Sequence, residues 1–119
     1  MDECRDEGGR LRGRHPVCPR FQRTAELLGR RWSAAVIRVV LEGPVRFTEI
    51  RESVDGLSAR LLTERLRELE SAGMIERRRD EASGAAVYRL TEKGRALSRV
   101  LREIEAWVDT WDDRPGAPG

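Results

Sequence analysis

Few side chains in this sequence could do covalent chemistry, and they lie at one end. The thiols are Cys4 and Cys18, and His15 is the single histidine. Cys4, His15 and Cys18 fall short of the four closely spaced ligands that a structural zinc site uses, so no metal is expected. One histidine in a polar arm leaves no His-based triad to build, and no cofactor motif is present. The carboxylates of Glu68 and Glu70 lie two apart on a helical pattern and do not face each other. An enzyme is therefore not expected. Cys18 is different: it precedes a helical pattern, with Arg14, Arg20 and Arg23 nearby. A helix N-terminus and adjacent cations both favour thiolate over thiol. A thiolate there could add to an electrophile or form a disulfide across a dimer, with Cys4 as a candidate resolving thiol. An inert, partly buried cysteine is the alternative.

The second chemistry is that of arginine. In Leu57–Gly73, LSARLLTERLRELESAG, Leu62, Leu66 and Leu69 recur at i, i+4 and i+7 and define one apolar stripe. With that stripe inward, Arg60, Glu64, Arg67 and Ser71 point outward, Thr63 lies at the margin, and Arg65 falls beside the stripe. Ser58 suits the N-cap and Gly73 the left-handed position after the last turn. Arginine forks onto guanine or phosphate, so Arg60 and Arg67 are candidates for nucleic-acid contact. A mixed-charge helix is also an ordinary solvated face, and what surrounds it decides between the two.

The elements around it form an ordered series. With 119 residues one domain is expected. The net charge of +2 excludes a polybasic tail as the main feature and leaves local patches open. Residues 1–17 read as a flexible polar arm and 112–119 as a flexible tail, bounding a domain at 18–111. Phe21, Ala25 and Leu28 share one face of a first helix. RWSAAVIRVVLE (31–42) is apolar enough to be the central buried helix, with Trp32 in the core, and Gly43-Pro44 stops it. Val45–Phe47 suits a short strand, and Thr48 a cap for the helix that follows. Asp55-Gly56 is a turn. A short helix, a turn and the Leu57–Gly73 helix in succession is the helix-turn-helix order, with the second helix as reader.

Two strands follow, MIERRRDE and AVYRLTE, around a tip at Ala82–Ala85. Arg77, Arg78, Arg79 and Arg89 make this hairpin basic, offset by Asp80 and Glu81. Beside a reader helix such a hairpin is a wing that can lie on phosphates or over a minor groove. Thr91 can cap one last long helix. Its stripe of Leu97, Val100, Leu101, Ile104, Trp107, Val108 and Trp111 is long for packing within one small domain and suits pairing with a second copy. The fold expected is mostly α with a small β-hairpin: a winged helix-turn-helix with terminal helices forming a dimer interface. The chain has no apolar run of membrane-spanning length and no secretory h-region, so a soluble, cytoplasmic protein with no membrane partner is expected, with both cysteines reduced at rest.

In order and spacing these pieces resemble the HxlR-type winged helix-turn-helix regulators of bacteria. The resemblance rests on Cys18-Pro19, LLGRRW (27–32), LEGPVRFTEI (41–50), LSARLLTERLRELESAGMIER (57–77), VYRLTEKG (87–94) and the aromatic-rich final helix, together spanning about residues 18–111. It implies a homodimer on a pseudo-palindromic operator in double-stranded DNA, repressing or activating nearby genes, with the helices around Phe21–Leu28 and Leu97–Trp111 making the dimer. It also implies a possible role for Cys18 in sensing quinones, aldehydes or oxidants, as some relatives do with a cysteine there. On this reading Arg60, Thr63 and Arg67 meet base edges or phosphates, and Ser58 and Ala59 lie close to the groove. Arg46, Arg78 and Arg79 hold backbone. The wing departs from many relatives in carrying EASGAA where they have prolines, so a more mobile tip is expected. The competing reading is a winged-helix interaction module that does not bind DNA, because fold alone does not fix function.

Overall fold

The computed structural model describes residues 17–111. The expected arm, with Cys4 and His15, falls outside them except for Val17, as does the expected tail. The order among the described residues is α1 (Pro19–Gly29), α2 (Ser33–Val40), α3 (Phe47–Ser53), α4 (Ala59–Ser71), β1 (Ile75–Arg79), β2 (Ala86–Leu90), α5 (Glu92–Ala96) and α6 (Ser98–Trp111). No helix among them is long and apolar enough to cross a membrane.

Helix α2 is the centre of the core. Val36, Ile37 and Val40 are buried on it, and Ile50 of α3, Leu62, Leu66 and Leu69 of α4, Ile75 and Leu90 of the hairpin, and Leu101 of α6 close around them. The i, i+4, i+7 leucines of α4 are thus the face it buries, as their period requires. Trp32 packs against this core, as expected. It stands at the corner before α2 with φ +78°, a left-handed backbone unusual for a large L-residue. Such a conformation costs about 1–3 kcal/mol and persists only where its surroundings hold it.

The reader helix starts and stops as its sequence dictates. Ser58 Oγ accepts from the Leu61 N–H at 3.1 Å. Gly73 takes φ +78° after the last turn. The chain's single lysine finishes the job: Lys93 Nζ donates to the Ala72 carbonyl at 2.8 Å, a cation at the negative end of the helix. Thr91 accepts from Gly94 N–H at 3.0 Å and so caps α5, as expected.

Three expectations change. The cap of α3 is Arg46, not Thr48: Glu49 Oε1 accepts from the Arg46 N–H at 2.7 Å, and the helix starts at Phe47, two residues earlier. Val45–Phe47 is therefore too short to be a strand, because Phe47 is already helical. Only Val45 pairs, through reciprocal backbone bonds with Tyr88 of 3.0 and 2.7 Å. The last long helix is broken at Leu97, where the N–H bonds back to the Gly94 carbonyl at 3.0 Å, a tighter i→i+3 closure.

β1 and β2 pair antiparallel with Ile75 opposite Leu90, Glu76 opposite Arg89, Arg77 opposite Tyr88, Arg78 opposite Val87 and Arg79 opposite Ala86. Ile75 and Leu90 are buried, so the register puts Arg77 and Arg79 on the same face as the buried pair, farther toward the tip. Glu76, Arg78, Val87 and Arg89 share the other face.

Candidate nucleic-acid interface

Because α4 spends Leu62, Arg65, Leu66 and Leu69 on the interior, a single face is left for anything outside the molecule. Arg60 and Arg67 stand on it, both exposed, with Ser58 at its start and Ala59 and Thr63 half-buried at its edge, apart from Ser58 itself being exposed. Arg60 Nε lies 3.6 Å from Glu64 Oε2, an i, i+4 pair that partly satisfies its charge. Arg67 makes no ion pair among the described residues and is the unspent cation of this face. The Thr63 hydroxyl donates to the Ala59 carbonyl at 2.9 Å, which leaves its oxygen able to accept.

The basic hairpin follows α4 and packs against it, and Arg46 lies near the hairpin's tip. Arg46 is exposed at the start of α3. Its charge is felt by Asp80 at the root of the hairpin tip. Asp80 is held below the usual carboxylate range first by the Ser83 hydroxyl, which donates to it at 2.7 Å. Burial opposes this, and the Ala82 and Ser83 N–H groups and then the Arg46 charge add to it. Gly84 takes φ +76° at the tip, and the Asp80 N–H donates to the Ala85 carbonyl at 2.8 Å.

The two wing arginines named from sequence do not act as one group. Arg78 lies on the outer face, 3.3 Å from Glu76 Oε1. Arg79 lies on the opposite face and donates to the Gly84 carbonyl at 2.7 Å. Strand register decides this, and sequence alone does not supply the register. Arg77, exposed and without an ion pair among the described residues, is the wing cation left unspent.

The second candidate surface is apolar. Ile104 and Trp107 on α6 are 51% and 59% exposed, Trp111 is 73% exposed, and Val100, Val108 and Phe21 of α1 are exposed with them. Val100, Ile104 and Trp107, with Glu103, Ala106 and Thr110, line an open groove of about 540 Å³. Leu101 is placed differently: it is 5% exposed and packs in its own chain's core, and Leu97 and Leu28 lean on that core too. α6 is anchored on α2 by Leu101 and by Arg38, whose Nε donates to Glu105 Oε2 at 2.9 Å. So many large apolar side chains facing outward on one helix mark an interaction surface.

Cys18 occupies the N-cap of α1, half-buried, its side chain making no cap hydrogen bond. Cys18 is disulfide-bonded in this structure. No group of histidine, cysteine and carboxylate that could hold a metal exists among the described residues.

Comparison with known proteins gives this geometry a family. Residues 27–115 match the family described as HxlR-like helix-turn-helix. The transcriptional regulator YodB of Bacillus subtilis is 43% identical over 94 residues, covering 78% of this chain and 84% of YodB. The solved structure of reduced YodB superposes with a TM-score of 0.73 at 40% identity, over 82% of this chain and 97% of that one. Quinone-bound YodB gives 0.70 at 41% identity, over 80% and 100%. The chain belongs to the HxlR-like helix-turn-helix family of transcriptional regulators.

Proposed function

We propose that this regulator binds a pseudo-palindromic operator as a homodimer, and that Cys18 releases it in response to oxidants or electrophiles. One observation carries the DNA reading. α4 buries Leu62, Arg65, Leu66 and Leu69 and leaves Arg60 and Arg67 on its outward face, and a basic hairpin with Arg46 near its tip follows it. In a major groove, Arg60, Thr63 and Arg67 meet base edges or phosphates while Ser58 and Ala59 bring the helix start close to the backbone. Arg46 and the wing hold phosphates on either side, with Arg77 added to Arg78 and Arg79 as a candidate. The exposed face of α6, with Phe21 of α1, pairs with its copy and sets two reader helices on one side of the dimer.

The sulfur reading is supported by the position of Cys18 and by the relative solved in reduced and quinone-bound forms. As a thiolate, Cys18 adds to an electrophilic ring carbon of a quinone: a C–S bond forms as the ring C=C π bond breaks, the electron pair passes to the carbonyl oxygen, and uptake of a proton with tautomerisation leaves a hydroquinone thioether. Alternatively, two thiols give up two electrons and two protons to an oxidant and form a disulfide. Either event alters the first turn of α1, next to the dimer face.

The test is binding to a DNA fragment from immediately upstream of the protein's own gene. It is titrated at two salt concentrations, reduced and then with diamide or a benzoquinone. Tight, salt-steep binding that collapses with oxidant and persists in Cys18→Ser is the expected result. Binding that ignores oxidant removes the cysteine switch and keeps the regulator. Binding no tighter than to random DNA, with little salt dependence, points instead to an interaction module.

A further inference from the structure

Helix α4 carries a third arginine that reading DNA leaves unused. Arg65 is 7% exposed, on the face turned away from Arg60 and Arg67. Its Nε donates to the backbone carbonyl of Arg31 at 2.8 Å, and its Nη1 to Glu68 Oε1 at 3.2 Å. The same Glu68 oxygen lies 3.2 Å from Arg30 Nε. A guanidinium stays charged at any physiological pH, so one this deep is tolerated only when its donors are matched. Here one donor is matched by the Arg31 carbonyl in the corner between α1 and α2, and another by Glu68 of α4 itself, which also pairs with Arg30 of that corner.

That corner grips the helix-turn-helix twice. Arg31 offers its carbonyl to the middle of α4. The next residue, Trp32, turns through its left-handed backbone and brings its ring under the turn between α3 and α4. A side chain added at Gly56 would meet that ring at 3.5 Å, and the Arg31 guanidinium covers the ring at 4.9 Å. Since α1 packs on α2 and leads directly into this corner, the corner fixes where the reader stands relative to α1.

We infer that Arg65 is a positioning residue for DNA recognition: it locks the reader helix to the Arg30–Trp32 corner and so sets the stance of Arg60 and Arg67 without touching DNA. The inference rests on the DNA-binding reading above. Its consequence is selective. A loosened reader loses discrimination among base sequences, which needs geometry. It keeps non-specific attraction, which needs only charge near phosphate.

The probe is a duplex enriched by the wild-type protein from a random-sequence library, compared with a scrambled duplex of the same length. For Arg65→Met, which keeps the length and apolar stem, affinity for the enriched duplex is expected to fall at least tenfold. Affinity for the scrambled duplex should stay within about twofold, with the slope of log K against log salt unchanged. Arg65→Lys, which can still reach the carbonyl, is expected to fall between. A merely structural defect would lower the melting temperature and reduce binding to both duplexes alike. Unchanged discrimination, or a salt slope shallower by about one phosphate contact, would overturn the inference. If Arg65→Met does not fold, the double variant Arg30→Gln, Glu68→Gln tests the same lock from its solvent side. A loss of threefold or more in discrimination supports it, and none overturns it. A wild-type protein that enriches no sequence would defeat the DNA-binding reading itself. That result is distinguishable, because the wild type fails along with the variant.

Discussion

Glu76 Oε2 accepts a 2.7 Å hydrogen bond from Arg89 Nε on the opposite strand, while its Oε1 stands 3.3 Å from Arg78. One carboxylate thus holds two of the four arginines that make the hairpin basic. The wing presents less free positive charge than its composition implies, and Glu76 sets how much. Glu76→Gln should free both guanidinium groups and tighten binding to non-specific duplex by a few-fold, with a steeper salt dependence. A filter-binding titration at two ionic strengths checks this.

The same pair gives a pH dependence. Glu76 is held below the usual carboxylate range, first by the Arg89 hydrogen bond; burial opposes it, and Arg78 assists. A carboxyl with a folded value below its unfolded one binds fewer protons when folded. Its contribution to stability is therefore complete above the ordinary carboxylate range and fades as pH falls through the lowered value. Carbon-detected titration of the Glu76 carboxyl should show a midpoint below that of an unpaired glutamate, and Arg89→Ala should return it upward.

Arg67 is the exposed arginine of the reader face with no ion pair among the described residues. Arg67→Ala should weaken operator binding by about 1–3 kcal/mol and reduce the salt slope by about one if its partner is a phosphate. Arg60, already 3.6 Å from Glu64, should lose less. Isotherms at matched salt for the two variants separate them.

Most of this fold can be read from residue types. The α4 leucines, Ser58, Gly73 and Thr91 stand where propensity and capping place them, because those rules act within a few residues. What was not legible depends on contacts distant in sequence. Arg78 and Arg79 looked equivalent until the pairing of Arg78 with Val87 put them on opposite faces. Arg65 fell beside the apolar stripe, and the Arg31 carbonyl, 34 positions away, joins Glu68 in satisfying it there. The left-handed Trp32 had no local signal, since the residue expected in such a backbone is glycine. Leu101 belonged to the stripe of the last helix, yet the break at Leu97 and the docking on α2 turn it into the core.

Gly94 shows how tightly α5 is seated. A Cβ there would stand 2.1 Å from the Met74 carbonyl oxygen and 3.1 Å from Leu90 Cδ2. The obstacle is backbone, which does not yield as a flexible side chain does. Gly94→Ala should cost about 1–3 kcal/mol through overpacking, despite the better helix propensity of alanine. A lower urea midpoint with unchanged slope is the expected signature.

The exposed face of α6 makes the last prediction the most direct. Ile104 and Trp107 are more than half exposed, so replacing them removes little from the core of the single chain. If the face pairs with its copy, the same residues become buried and dominate the association, as central aromatic anchors do. Ile104→Glu should therefore leave the helical content and unfolding midpoint of the monomer nearly unchanged. It should place two like charges across a two-fold seam. Sedimentation velocity should show the wild type at the dimer mass and Ile104→Glu at the monomer mass, with operator affinity falling as the second half-site is lost. Leu101→Ala is the contrasting case. Leu101 is buried in its own chain, so its loss should lower stability by about 2–5 kcal/mol and affect the dimer only through that. An Ile104→Glu protein that still sediments as a dimer would mean the two copies meet through another surface.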